Sequence, residues 1–97
     1  MAIDGIDVSN NNGTIDWGKV AAGGKEFAVI KATEGLNFTD QDFDYNWREA
    51  RAHGLVRGAY HFARPSEGTG RQEALYFLSR VVEVIEVGDF LALDLED

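Results

Sequence analysis

The 97-residue chain contains no cysteine. That excludes disulfide bridges, thiolate metal sites and cysteine nucleophiles, and leaves no signal of redox compartment. Two histidines are too few for a histidine-rich zinc site. Basic residues are in deficit: 9 Lys+Arg stand against 17 Asp+Glu, for a formal net charge of −8 and a pI near 4.6. Nucleic acid and anionic membrane surfaces both reward a basic face, so neither is expected as the main partner. No uncharged run approaches the roughly 20 apolar residues of a membrane-spanning helix. Met1-Ala2-Ile3-Asp4 lacks the basic end and apolar core of a secretory signal. What the chain does have is 44% hydrophobic and 11% aromatic residues, the composition of a folded globular protein, at a length for one domain or part of one.

One rhythm runs along the chain. Gly5-Ile6-Asp7-Val8-Ser9 reads as a strand closed by the turn-forming Asn10-Asn11-Asn12-Gly13. Asp16 is placed to cap a short helix through Trp17, Val20 and Ala21, which Gly23-Gly24 stops. Phe27 to Thr33 is a buried strand ending in Glu34-Gly35. Asp40 to His53 has a helical spacing of Phe43, Trp47 and Ala50, with Gly54 at the C-terminal glycine position. Leu55 to Ala63 is a third strand, and 66–70 a loop. Arg71 to Val82 is a third helix with Leu75, Leu78 and Val82 on one stripe, and Phe90 to Glu96 a fourth strand. Alternating strands and helices at this spacing predict an α/β fold with a parallel sheet and right-handed crossovers.

In a parallel sheet all strand C-termini lie at one edge, where α/β folds place their active sites. The strands end in Asp7 and Ser9; in Lys31, Thr33 and Glu34; in Tyr60, His61 and Arg64; and in Asp94 and Glu96. A lone acid at a strand end is more often a solvated or capping group, but four successive strands ending in ionisable groups point to a site. Asp94 and Glu96 stand at i and i+2, on one face and roughly 6–7 Å apart along a strand. With Asp7 nearby they would not all ionise easily, and one held protonated would act as a general acid. Paired carboxylates of this kind serve glycoside hydrolysis; the same oxygens would also suit a divalent cation.

Five motifs in order, Gly5-Ile6-Asp7-Val8-Ser9, Ile15-Asp16-Trp17, Lys31-Ala32-Thr33-Glu34-Gly35, Gly58-Ala59-Tyr60-His61-Phe62 and Leu93-Asp94-Leu95-Glu96, resemble glycoside hydrolase family 25. These are the Chalaropsis-type lysozymes of phage endolysins and bacterial muramidases. The resemblance implies a TIM-like β/α barrel that cleaves the β-1,4 bond between N-acetylmuramic acid and N-acetylglucosamine in peptidoglycan. It implies Glu96 as proton donor, Asp94 as second carboxylate, Asp7 as the first-strand aspartate and Tyr60 as the tyrosine lining the centre. Lys31 and Glu34, read as a strand-end ion pair, and His61, which alternates away from Tyr60, are assigned supporting roles toward substrate. Either an enzyme carboxylate or the substrate's acetamido oxygen would be the nucleophile. No cofactor and no metal are implied. Trp17 and Trp47, on helices, are expected in the core more than against sugar.

A complete β/α barrel takes roughly 200 residues or more. Residues 1–97 are accordingly expected to be the N-terminal half of a catalytic domain, supplying about four strands and three helices. A complementary C-terminal half or a second copy of the chain would complete it. The expected partner is bacterial peptidoglycan, at the cell wall, reached by an endolysin released at lysis or by a secreted enzyme. The alternative is a non-catalytic glycan-binding or structural remnant. A divalent-metal phosphotransferase on a similar sheet would need a phosphate-cradling glycine loop that the sequence lacks.

Overall fold

The structure is a computed structural model that describes residues 5–36, 38–64 and 70–94, with Asn11, Leu93 and Asp94 described by backbone alone. Strand β1 (Gly5–Val8) leads through a 3-10 turn at Asn10–Asn12 to helix α1 (Trp17–Ala22). Strands β2 (Phe27–Glu34) and β3 (Phe38–Thr39) precede helix α2 (Phe43–Ala52). Strand β4 (Val56–Phe62), helix α3 (Gly70–Val81) and strand β5 (Phe90–Asp94) follow. Strands β1, β2, β4 and β5 are parallel and neighbour one another in that order, and short β3 runs antiparallel beside β2. The chain is a mixed α/β fold built on a parallel sheet, as the alternating sequence predicts.

Local chemistry sets the boundaries. The Asp16 carboxylate accepts the Lys19 N–H at 3.1 Å and caps α1. Gly54, with φ 82°, turns the chain out of α2 in a conformation that a residue with a Cβ rarely adopts. One face of the sheet packs Val8, Ala28, Ile30 and Ala59 against Trp17, Phe43, Trp47, Phe77 and Val81 of the helices. Both tryptophans are buried and bonded, Trp17 Nε1 to Asn46 Oδ1 and Trp47 Nε1 to Val84 O, each at 3.1 Å. At the other face the ring of Phe90 covers Gly58, where a Cβ would stand 2.2 Å from it.

Three expectations need correction. Helix α2 starts at Phe43 instead of Asp40, because the buried Asp40 carboxylate accepts the N–H groups of Asn10 and Asp42 at 2.8 Å and forms the turn before the helix. Strand β3, two residues long, is too short to show a period. Leu75, Leu78 and Val82 lie exposed, and α3 instead turns Glu73, Phe77 and Val81 inward. Apolar spacing points α3 the other way; a buried acid bonded to His61 decides its rotation. The loop expected over 66–70 lies outside the described residues except for Gly70, which opens α3, as does the strand reading beyond Asp94.

Candidate active site

Strand pairing aligns the residues of the face opposite the helices. From bottom to top, Gly5, Phe27 and Val56 are followed by Asp7, Val29, Gly58 and Phe90, then by Lys31, Tyr60 and Ala92. At the C-terminal edge, Glu34 and Phe62 are in register with the backbone of Asp94. Successive levels are roughly 7 Å apart, two residues of strand rise. Asp7 is exposed and Tyr60 half-buried. Apart from the exposed Asp7 the lower levels are apolar or aromatic, and charge gathers at the upper ones, so the face is a largely apolar floor beneath a polar rim.

A bulge builds that rim. Lys31 pairs with Tyr60 and Thr33 with His61, which leaves Ala32 as an extra residue. The phase of β2 therefore shifts, and Lys31 and Glu34, three apart, come to one face. Lys31 Nζ bonds Glu34 Oε1, and the Arg64 guanidinium bonds Glu34 Oε2. Both cations flank the Phe62 ring, Lys31 Nζ at 5.2 Å and Arg64 Cζ at 5.5 Å from its centroid, and Lys31 also lies 5.1 Å from the Phe38 ring. Burial pushes the Glu34 carboxyl up, but the bonds and charges of Lys31 and Arg64 outweigh this and hold it below the ordinary value of 4.5. One carboxylate between two cations makes this cluster locally basic on a chain that is negative as a whole.

Behind the rim, on the helix side, His61 is wholly buried. Its Nδ1 lies 2.8 Å from Thr33 Oγ1 and its Nε2 2.8 Å from Glu73 Oε1. That same Glu73 oxygen accepts the Arg64 N–H at 2.8 Å. The hydroxyl–imidazole–carboxylate order resembles a nucleophile relay, but Thr33, His61 and Glu73 are all at most 2% exposed, and no substrate reaches them. Burial opposes the ionised Glu73, yet the His61 and Arg64 bonds, with the charge of His61, hold its pKa below 4.5.

Residues 6–97 match the profile of glycosyl hydrolases family 25. The chain belongs to that family. Lysozyme M1 of Streptomyces globisporus is 49% identical over 77 residues, which are 79% of this chain and 26% of that protein. The N,O-diacetylmuramidase of Chalaropsis sp. is 34% identical over 80 residues, 79% of this chain and 38% of that protein. A solved family 25 glycosyl hydrolase from Bacillus anthracis superposes with a TM-score of 0.90 at 34% identity, covering 99% of this chain and 43% of the other. A family GH25 lysozyme from Aspergillus fumigatus gives 0.89 at 34% identity, covering 98% and 46%. The family 25 chain thus spans under half the length of these relatives, whose solved members are TIM-like barrels.

The family 25 sheet brings Asp7, Lys31, Glu34 and Tyr60 to one face and registers the Asp94 backbone with it. Glu96 and the Asp94 side chain lie outside the described residues. His61 is on the other face and fully enclosed, which is at odds with direct contact with a glycan. Sequence reasoning placed Arg64 at a strand end without assigning it to the site, and missed Phe62 and Glu73. The YHFAR stretch carries the signal for the first two, since alternation from Tyr60 puts Phe62 on its face. Nothing in the sequence couples Glu73 to His61 across twelve residues.

Proposed function

We propose that residues 1–97 are the N-terminal half of the catalytic domain of a peptidoglycan muramidase. The observation that carries this reading is the convergence of Asp7, Lys31, Glu34 and Tyr60 on one open face, with Asp94 in register at its C-terminal edge, in a chain of family 25. Glu96 donates its proton to the glycosidic oxygen as the bond from the muramic acid anomeric carbon breaks, and water then completes hydrolysis. Asp94 stabilises the positive charge at that carbon or orients the acetamido group, and Asp7 sets the protonation states of the pair or fixes Tyr60. The Lys31–Glu34–Arg64 cluster offers the partly exposed Arg64 guanidinium to the carboxylates of peptidoglycan. The remaining strands of the barrel come from further polypeptide or from a second copy of the chain, and the work is done at the bacterial cell wall.

Product analysis tests the reading. The completed domain should release glycan fragments whose new reducing ends are N-acetylmuramic acid. N-acetylglucosamine reducing ends would contradict the bond assignment, and binding without cleavage would mark a glycan-binding remnant.

A further inference from the structure

We infer that Glu73, a helix residue on the far side of the sheet, is a positioning residue for the glycan-binding rim, a role that rests on the muramidase reading. Its single oxygen Oε1 accepts two bonds, from His61 Nε2 and from the Arg64 main-chain N–H, both at 2.8 Å. His61 is anchored in turn to Thr33 on β2. Gly35 N–H donates to Phe62 O at 3.0 Å, so the exit of β4 is tied on both sides of Ala63. From that fixed main chain the Arg64 side chain reaches over Phe62 to Glu34, and Glu34 holds Lys31.

An acid at a core position of an amphipathic helix costs desolvation, and a leucine there would pack without that cost. Its presence is explained by what it holds: a backbone amide at a strand end where the regular ladder has ended, and the buried imidazole of His61 behind the site. Removing the acceptor leaves the buried His61 N–H and the partly buried Arg64 amide unmatched and frees Arg64 to leave Glu34. Binding of the glycan then weakens, while the chemistry proposed for Asp94 and Glu96, which makes no use of Glu73, is retained.

The test uses the completed domain and three substitutions: Glu73→Ala, Glu73→Gln and Thr33→Val. Hydrogen exchange at the Arg64 amide reads the anchor, and NMR titration with a soluble N-acetylglucosaminyl–N-acetylmuramyl oligosaccharide reads binding. Glu73→Ala should lose at least tenfold protection at Arg64 and bind roughly fivefold more weakly, with kcat within twofold of wild type. Glu73→Gln keeps Oε1 and should restore protection and affinity. Thr33→Val, nearly isosteric, should shift both in the same direction by less, and serves if Glu73→Ala does not fold. Unchanged protection or affinity in the folded variants, a loss in kcat alone, or a Gln variant as impaired as the Ala variant would overturn the role. A wild-type domain that binds but does not cleave refutes the muramidase reading alone, since exchange and affinity are measured without turnover.

Discussion

Lys31 and Glu34 stand three residues apart on one strand and yet share a face, because Ala32 bulges out of register between them. A regular strand, with its period of two, would separate them. Glu34→Gln keeps the shape and removes the charge that two cations enclose. Charge-assisted bonds contribute about 1.5–3 kcal/mol each, and this rim is partly open to water. A loss of about 1–2 kcal/mol is therefore expected, read as a lower urea midpoint at pH 7, together with weaker glycan binding.

Arg57 anchors the opposite end of the sheet. Its guanidinium bonds Asp89 at 2.9 and 3.0 Å, Glu86 at 2.7 Å and Trp47 O at 2.9 Å, and lies 4.0 Å from the Trp47 ring centroid. Both Arg57 and Asp89 side chains are buried, so removing Arg57 takes the buried Asp89 carboxylate's cation away. Arg57→Ala should cost about 3–5 kcal/mol, seen in equilibrium denaturation. Arg57→Met with Asp89→Leu should recover much of it.

The acid limb of the stability profile has a definite sign. Glu34 and Glu73 are held below 4.5 in the folded chain. Each contributes stability that is present above 4.5 and is lost as pH falls through the lowered folded value. The margin of wild type over Glu73→Gln, about 1–2 kcal/mol at pH 7, should narrow steadily as pH is taken below 4.5. Denaturation midpoints of the two proteins across that range provide the check.

Alternation of apolar runs with helical spacing made the parallel sheet legible, and strand-end polarity located its functional edge. The Asp16 cap and the glycine stops follow from side-chain and backbone chemistry within four residues, which a sequence displays. The rotation of α3 was hidden because Glu73 takes a core position only through His61, which reaches it by folding. Asp40 was read as helix for a similar reason, since its partner Asn10 is thirty residues away. The bulge at Ala32 has no composition of its own, yet it brings together a pair that the sequence had already suggested.

The most direct test of the account is the turnover of peptidoglycan by the completed domain carrying Glu96→Gln. The two side chains are nearly isosteric, so folding and glycan affinity should be preserved. General acid catalysis contributes roughly 10²–10⁴-fold, and kcat should fall by that order. Turnover equal to wild type would contradict the assignment of Glu96 as the acid and, with it, the chemistry proposed for this face.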